Sequence, residues 1–375
     1  MQVINGIYSH GLQNPTKRAA MYYKTEPLVR GVGSYHHTNN WEIIRAIQIL
    51  NSKGYIVDLI DRGNSNWHPT CKYDLFLGLG VGNSGKRFAE YAKRSNASTR
   101  ILLAMGPQPD ISNENTIKRY LEFSRRTGVN APPMRTVSDV CGPAFLEIME
   151  NTDFIFCIGE NQNAAYKSFE KYGKKILPFY PAVSDKVSYD KSWASTRLKN
   201  EFLCFAGNGL ICKGVDVVLE AFMRDETKTL HICGPAEKSF FDAYQDKISM
   251  MPNVNYHGFI EPGGKKFNEL ASRCSYVVFH SSSEGCCTSV ATAMKAGLVP
   301  IINEWTGINI TNEGFLLRDA GINIIDEVQS VCESASKIDE EKYSYMLHAT
   351  LEKSRLFSQE SFTVSYESAI LEVIQ

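Results

Sequence analysis

The sequence contains no apolar run long enough to cross a bilayer. Its longest apolar runs, such as residues 101–105, have the length of a strand, and the opening residues MQVINGIYSHGLQNPTK hold no apolar core of the signal-peptide kind. Net charge is nearly absent too, because 40 Lys and Arg residues stand against 41 Asp and Glu residues. A protein without an excess of positive charge does not attract the phosphates of nucleic acid. We therefore expect no transmembrane segment and no nucleic-acid partner.

Two short metal-binding patterns are missing as well. The ten cysteines form no C-x-x-C pair and no Cys/His cluster at zinc-finger spacing, and several lie inside apolar runs. Scattered cysteines of this kind predict reduced core residues and a cytoplasmic location. No D-x-D triplet occurs, which removes the simplest motif for holding Mg²⁺ or Mn²⁺ against a diphosphate. The sequence thus predicts no metal and no other cofactor.

The chain does have a repeated alternation of apolar, strand-sized runs with amphipathic helices. Its 375 residues are enough for two sizeable cores, and the polar residues 184–200 are typical of a linker between them. This alternation predicts the α/β class, with parallel sheets covered by helices on both faces. We expect a Rossmann-like domain at residues 1–190, a second at 195–355, and a last helix, about 356–375, that packs back on the first. The Arg-rich residues 106–140 show no readable pattern.

The most informative stretch is residues 276–303, YVVFHSSSEGCCTSVATAMKAGLVPIIN. It predicts a buried strand, a polar turn that holds Glu284, a helix and a second buried strand. The unpaired first-turn N–H groups of that helix favour an anion, and Gly285 lets the backbone approach a ligand. A carboxylate beside an anion site suits a ligand with both phosphate and hydroxyl groups, such as a nucleotide sugar. Taken alone, the stretch is equally typical of a turn in which Glu284 only caps the helix.

Two glycine-rich turns also follow predicted strands. In residues 207–214, GNGLICKG, the turn exposes backbone N–H groups and Lys213 supplies a positive charge for phosphate, although a solvated lysine is the alternative. Residues 80–87, GVGNSGKR, come close to the Walker A pattern. Arg87 stands there in place of the hydroxyl that binds Mg²⁺, so we interpret this second motif as a tight strand-to-helix turn.

Four segments in order resemble the carboxyl-terminal half of the GT-B glycosyltransferases, most of all the retaining family 4 group, once called group 1. They are FLCFAGNGLICKGVDVVLEAF, LHICGP, NVNYHGFI and YVVFHSSSEGCCTSVATAMKAGLVPII, and together they extend over residues 202–302. In the amino-terminal half, HTNNWEIIRAIQILNSKGYIVDLID is similar to the first helix and second strand of the group. The resemblance implies a GT-B fold, in which two Rossmann-like β/α/β domains face a central cleft. The first domain would hold the acceptor and the second the nucleotide-sugar donor.

The resemblance also implies roles for individual residues. Lys213 would contact the donor diphosphate and Glu284 the hydroxyls of the transferred sugar, and we take these two as the catalytic residues. The N–H groups around residues 288 and 289 would contact the distal phosphate, and residues 258 and 259 would lie near the base. The expected donor-binding residues are Gly207, Asn208, Gly209, Gly234, Gly258, Phe259, Ser283, Gly285, Thr288, Ser289 and Thr292.

The sequence departs from the family pattern at two positions. The family places an Arg directly after the glycine of its phosphate loop, and Asn208 stands there. Its second Glu, eight residues after the first, binds the nucleotide ribose, and Thr292 stands there. The first change removes a bidentate contact with phosphate. The second leaves a shorter, neutral side chain to contact the ribose.

The expected function is transfer of a sugar from a UDP- or GDP-sugar to a glycan, a lipid-linked or another acceptor in polysaccharide or glycoconjugate synthesis. The resemblance implies a retaining, metal-independent reaction, and a lipid-linked acceptor would bring the protein to the inner face of a membrane as a peripheral partner. His36 and His37 are candidates for contact with the acceptor or with phosphate, and a solvent-facing pair is the alternative. A non-catalytic binding relative and another sugar-nucleotide enzyme on this fold, such as an epimerase, remain as alternative functions.

Overall fold

The structure is a computed structural model that describes residues 2–8, 15–29, 39–82, 85–319 and 323–375. Within these ranges it has the following β-strands: β1 Val3–Ile7, β2 Lys17–Tyr23, β3 Tyr55–Asp61, β4 Leu75–Leu79, β5 Thr99–Ala104, β6 Phe154–Ile158, β7 Lys175–Phe179, β8 Leu198–Phe205, β9 Thr229–Cys233, β10 Val254–Gly258, β11 Cys274–Phe279, β12 Val299–Asn303 and β13 Phe315–Leu317.

The α-helices alternate with these strands along most of the chain. They are α1 Glu26–Val29, α2 Asn39–Ser52, α3 Phe88–Ser95, α4 Pro109–Thr127, α5 Pro143–Glu150, α6 Ala164–Lys167, α7 Val215–Phe222, α8 Lys238–Met250, α9 Lys265–Arg273, α10 Thr288–Lys295, α11 Ile324–Ser336, α12 Glu340–Ser354 and α13 Gln359–Ile374. Short 3-10 helices occur at Gly85–Arg87, Glu170–Tyr172, Lys191–Ser195, Glu304–Thr306 and Arg355–Phe357. Among the helices that the structure describes, none combines the length and the apolar character needed to traverse a bilayer.

The chain forms two compact units. Unit 1 comprises residues 1–113, 135–182 and 359–375, so it includes α13, and unit 2 comprises residues 114–134 and 183–358. Helix α4 is shared, because its residues up to Asn113 belong to unit 1 and those from Glu114 onward belong to unit 2. Residues 114–134 are thus part of unit 2 although they come well before its main segment in the sequence.

Unit 1 is built on a seven-stranded sheet in the order β1-β3-β2-β4-β5-β6-β7. Strand β1 pairs with β3 in the antiparallel sense, and all other neighbours are parallel. Strands β4 and β5 have buried apolar residues on both faces, as expected for central strands of a parallel sheet covered by helices. The predicted α/β class is confirmed in this unit.

Unit 2 is built on a six-stranded, wholly parallel sheet in the order β10-β9-β8-β11-β12-β13. Taken in chain order, this is the doubly wound arrangement in which strand order reverses between the first and the fourth strand, here β8 and β11. All six residues of β11 are buried, which fits its central place in the sheet. Ligands of such sheets bind beyond the carboxyl ends of the strands at the point of reversal, which makes the loops after β8 and β11 the candidate site.

A buried carboxylate lies in an apolar cavity of unit 1. Glu42 in the first turn of α2 accepts a hydrogen bond from the Ala182 N–H at 2.8 Å, and the cavity is also lined by Met21, Leu103 and Phe362. Burial raises the pKa of Glu42 from 4.5 to about 7. A carboxyl with a raised pKa binds more protons in the folded than in the unfolded state, so the stability it contributes falls as the pH rises from about 4.5 to about 7.

We expect Glu42→Gln to remove this pH dependence. Gln keeps the acceptor oxygen for Ala182 without the buried charge, so the variant should be more stable than the native protein at pH 8, by up to about 3 kcal/mol, and nearly equal to it at pH 5. Denaturant unfolding at the two pH values measures the difference. Glu150→Gln, which alters an exposed carboxylate of unit 1, is the matched control. An equal effect of Glu42→Gln at both pH values would contradict the role of its protonation.

Candidate active site

The loop after β8 is held tightly against the end of β11. Gly214 has a φ of +71°, and a Cβ built there would lie 2.1 Å from the carbonyl oxygen of His280. Only glycine satisfies both the left-handed backbone and this close approach. Next to it, the carbonyl oxygen of Cys212 accepts hydrogen bonds from the N–H and the hydroxyl of Ser282, both at 2.9 Å. The backbone on both sides of Lys213 is therefore fixed against the end of β11 and the loop that follows it.

The turn that carries Glu284 is anchored by the segment that follows β12. The Glu284 N–H donates to the carbonyl oxygen of Trp305 at 2.9 Å, and the Cys287 N–H donates to that of Thr306 at 2.8 Å. Gly307 has a φ of +72°, and a Cβ there would lie 2.1 Å from the carbonyl oxygen of Gly285. The backbone of this turn is therefore fixed on both sides of Glu284.

The structure brings together the two residues expected to be catalytic. The Lys213 ammonium group donates a hydrogen bond to the Glu284 carboxylate, and its nitrogen lies 5.5 Å from the centre of the Phe279 ring. The Lys213 side chain is 5% exposed and that of Glu284 is 17% exposed. A positive and a negative group, weakly screened by solvent, thus lie side by side at the reversal of strand order. The ammonium group can bind phosphate, and the carboxylate can accept hydrogen bonds from sugar hydroxyls.

The amides of the glycine-rich turn already bind a carboxylate. Glu237, which follows β9, accepts hydrogen bonds from the Leu210 N–H at 2.7 Å and the Ile211 N–H at 2.9 Å. Tyr120 of α4 donates its hydroxyl to the same carboxylate at 3.2 Å. These two amides are thus paired with a side chain of the same chain, and the predicted contact of this turn with phosphate stays a prediction. Sequence reasoning missed Glu237, although it follows the LHICGP segment closely.

The first turn of α10 contains Thr288 and Ser289, whose N–H groups were expected to contact a phosphate. Its N-cap residue, Cys287, makes no side-chain capping hydrogen bond. Burial, followed by the charge of Glu284, raises the pKa of the Cys287 thiol to about 11, so the thiol remains neutral. Further along the helix, the buried Thr292 donates its hydroxyl to the Thr288 carbonyl oxygen at 2.6 Å.

The other expected donor-binding residues lie in loops at the carboxyl ends of neighbouring strands. Gly234 has a φ of +138° and a Cβ there would lie 2.5 Å from the Ala206 carbonyl oxygen, so it needs to be glycine. Its N–H donates to the Gly258 carbonyl oxygen at 2.7 Å, and the following Phe259 is 64% exposed. The remaining members are placed in the two loops already described: Gly207, Asn208 and Gly209 after β8, and Ser283 and Gly285 after β11.

A chain of polar groups that runs from the buried Arg119 through the buried His280 to the exposed Asp319 was not foreseen. Arg119 of α4 is 6% exposed and donates to Nδ1 of His280, while Nε2 of His280 lies 2.9 Å from the Asp319 carboxylate. Since a guanidinium only donates, His280 must accept at Nδ1 and donate from Nε2, which fixes its neutral tautomer. Burial and the charge of Arg119 lower the pKa of His280, consistent with this neutral form.

Helix α4 is also paired with α7 at its far end. Arg126 donates to the carboxylates of Asp216 and Glu220, and Asp216 is completely buried. Burial raises the pKa of Asp216 even though Arg119 and Arg126 oppose the shift. Residues 114–134 thus supply both the arginine that contacts His280 and an ion pair to the helix that follows Lys213. The arginines of this stretch were visible in the sequence, but nothing in their spacing indicated a partner.

Two further predicted features belong to the amino-terminal part of the sequence. His36 and His37 fall outside the described residues. The Walker-like turn belongs to unit 1, where a Cβ on Gly80 would lie 1.7 Å from Cδ1 of Leu102 and one on Gly85 would lie 2.5 Å from the Gly80 carbonyl oxygen. Close packing accounts for both glycines, as expected for a tight turn.

A family comparison agrees with the resemblance seen in the sequence. Residues 190–311 match the family model described as "Glycosyl transferases group 1", and this segment contains Lys213, Glu284 and both loops at the reversal of strand order. The match confirms the predicted resemblance to group 1 over this segment and supports the expected enzyme class, a glycosyltransferase. No sequence among the curated proteins matches the chain.

Solved structures show which fold this is. Sucrose-phosphate synthase from Thermosynechococcus elongatus is similar with a TM-score of 0.63 and 10% identity over 96% of this chain and 99% of that one. HepE of Anabaena, solved with UDP and glucose, gives 0.57 and 11% over 96% and 99%. The pneumococcal O-GlcNAc transferase GtfA, solved with UDP and GlcNAc, gives 0.53 and 15% over 80% of this chain, which spans 57% of its length. The predicted GT-B fold is confirmed.

Proposed function

We propose that this protein transfers a sugar from a UDP- or GDP-sugar to a glycan, a lipid-linked or another acceptor, in the synthesis of a polysaccharide or glycoconjugate. The observation that carries the proposal is the contact between Lys213 and Glu284 at the reversal of strand order, inside the segment that matches group 1. One group suits the phosphates of the donor and the other the hydroxyls of its sugar. The presence of UDP with a sugar in two of the similar structures supports a donor of this class.

Two amides of the glycine-rich turn are excluded from the proposed phosphate contacts because they already donate to a side chain. Glu237 takes the amides of Leu210 and Ile211, so these cannot bind phosphate while that carboxylate stays in place. The donors proposed for the phosphates are the Lys213 ammonium group, which also donates to Glu284, and the first-turn N–H groups of α10, which carry the positive end of the helix dipole. We propose that these groups stabilise the leaving diphosphate, without a metal ion, as its charge develops.

Glu284 has a positioning role in this proposal. Its carboxylate would accept hydrogen bonds from hydroxyls of the transferred sugar and hold the anomeric carbon near the acceptor. The proposed outcome is retention of configuration, with Glu284 acting on the sugar hydroxyls and forming no bond to the anomeric carbon. Both residues are held by backbone hydrogen bonds around them, which favours a preorganised site.

A panel of UDP- and GDP-sugars tests the proposed activity. Each is mixed with the protein, and thermal shift reports binding while released UDP or GDP reports hydrolysis or transfer. We expect one donor to raise the unfolding midpoint and to release its nucleotide, faster when an acceptor glycan or lipid diphosphate is added. Absence of both binding and turnover with every donor would refute the proposal.

A second candidate function is binding of a nucleotide sugar without turnover. It is favoured by the Glu237 carboxylate on the loop amides, together with Asn208 and Thr292 in place of the family's Arg and Glu. The same panel separates the two functions. A donor that stabilises the protein and releases no nucleotide with any acceptor would support the binding function.

We expect Glu284→Gln to lower the turnover number of transfer by about 100-fold, because the amide accepts sugar hydrogen bonds more weakly and holds the donor less well. The dissociation constant for UDP or GDP alone should change little, since the nucleotide lacks the sugar that Glu284 contacts. Steady-state rates and calorimetric binding measure the two effects separately. Glu304→Gln, an exposed carboxylate after β12, is the control and should leave both unchanged. Equal losses of nucleotide binding and turnover would show that Glu284 is only structural.

A further inference from the structure

Three metal-ligating side chains form a buried cluster on the sheet of unit 2. The carboxylate of Glu201, the imidazole of His231 and the thiol of Cys274 each offer one ligand atom, and these atoms all lie within 4.8 Å of one another. The three residues are 4%, 4% and 0% exposed. No other group of this kind is found in the part of the chain that the structure describes.

The cluster is separate from the candidate active site. Glu201 lies on β8, His231 on β9 and Cys274 is the first residue of β11, so three adjacent strands of the sheet each supply one ligand. Lys213 and Glu284 lie in the loops that follow these strands, at their carboxyl ends. A metal ion bound to the cluster would hold strands together and would not contact a donor phosphate.

The ligand side chains are oriented by further hydrogen bonds. The Nδ1 atom of His231 lies 3.0 Å from Nε2 of His257 on β10, which leaves Nε2 of His231 directed at the Glu201 carboxylate, 3.3 Å away. The second oxygen of Glu201 accepts from Arg273 at 2.7 Å. Metal-binding histidines and carboxylates are commonly held in this way by partners on their remaining atoms. Arg273, Glu201 and the two histidines would form a chain of hydrogen bonds even without a thiol. Such a chain therefore does not explain why Cys274 lies beside Glu201 and His231.

We propose that Glu201, His231 and Cys274 bind a Zn²⁺ ion. Zn²⁺ accepts this mixture of oxygen, nitrogen and sulfur ligands, and three protein ligands leave the fourth tetrahedral position to a water molecule. On binding, the Cys274 thiol gives up its proton to solvent and its sulfur bonds to the ion as a thiolate. The two negative ligands then balance the charge of the ion, as a buried site requires. The Arg273 side chain, which pairs with Glu201, is 50% exposed, so one side chain separates this end of the cluster from solvent.

Cobalt substitution tests the proposal without any assay of activity. The full-length protein is treated with a chelator under reducing conditions and titrated with Co²⁺, whose bond to a thiolate gives a charge-transfer band in the near ultraviolet. We expect this band to saturate at one equivalent of Co²⁺ and to disappear when Zn²⁺ is added. Zn²⁺ alone should also raise the thermal unfolding midpoint. Absence of the band from the native protein would overturn the proposal.

Variants show whether the band belongs to this cluster. Cys274→Ser should abolish it, and Glu201→Gln should weaken Co²⁺ binding by at least about tenfold. Cys71→Ser removes the one exposed thiol and should leave the band intact. A band lost in Cys71→Ser, or kept in Cys274→Ser, would place the metal elsewhere and refute the site. If circular dichroism shows that Cys274→Ser does not fold, Glu201→Gln and His231→Gln decide, and unchanged affinity in both refutes it.

Discussion

Lys213→Ala is expected to weaken donor binding more than any other single substitution in the candidate site. The ammonium group is the one side-chain cation that we assign to the donor diphosphate, and it is 95% buried beside Glu284, where solvent screens its charge weakly. Its removal leaves the Glu284 carboxylate without this partner and next to the phosphates. We expect a loss of about 100- to 1,000-fold in kcat/KM with the donor that the panel identifies, equivalent to about 3–4 kcal/mol.

The matched control for this prediction is Lys228→Ala. Lys228 is also a buried lysine of unit 2 and is paired with a carboxylate, that of Asp225, but it lies just before β9, at the opposite ends of the strands. Lys228→Ala should therefore leave the dissociation constant for the donor unchanged. Calorimetry with UDP or GDP, and with the complete donor, measures both variants. An unchanged dissociation constant in Lys213→Ala would refute its assignment to the phosphates.

Gly214→Ala is expected to destabilise unit 2 severely. The residue has a φ of +71°, and the new Cβ would lie 2.1 Å from the carbonyl oxygen of His280, a backbone atom that cannot rotate away. The left-handed conformation alone costs about 1 kcal/mol, and displacing the loop from β11 would add the loss of the Ser282 hydrogen bonds to Cys212. We expect a loss of about 3 kcal/mol or more, seen as a lower unfolding midpoint.

The control separates backbone strain from the steric clash. Gly128 of unit 2 has a φ of +74°, and a Cβ there would meet nothing within 4 Å. Gly128→Ala should therefore cost only the conformational strain, about 1 kcal/mol. Similar losses in the two variants would show that the contact between the loop and β11 contributes little. The expected order is a small loss for Gly128→Ala and a severe one for Gly214→Ala.

The parts of the site that could be predicted are those encoded in short, continuous segments. The apolar run 276–279, the turn around Glu284 and the helix after it form one strand-turn-helix unit, and β11 and α10 have this order in the structure. The same holds for β8, the glycine-rich turn and α7. In each case the signal is local, because strand and helix periodicity and the tolerance of glycine for a left-handed backbone act over neighbouring residues.

The partners of these segments could not be predicted in the same way. Glu237 occupies the loop amides from a position after β9, and Arg119 reaches His280 from a helix more than 160 residues earlier in the chain. Residues 106–140 had no readable pattern in the sequence. A helix whose charged residues pair with buried partners has the same polar composition as a helix exposed to solvent, so the sequence does not distinguish the two. The type and spacing of residues show which chemistry a side chain can supply. They do not show which distant residue it will contact in the folded protein.

The sequence by itself determined the α/β class, the resemblance to group 1 glycosyl transferases and the two loops that carry Lys213 and Glu284, because these depend on residues close together in the chain. Only the tertiary structure decided that Lys213 contacts Glu284, that Glu237 fills the loop amides, and that Glu201, His231 and Cys274 meet on three strands. Strand order and register bring such groups together, and both are set by the burial of whole sheets rather than by any local pattern.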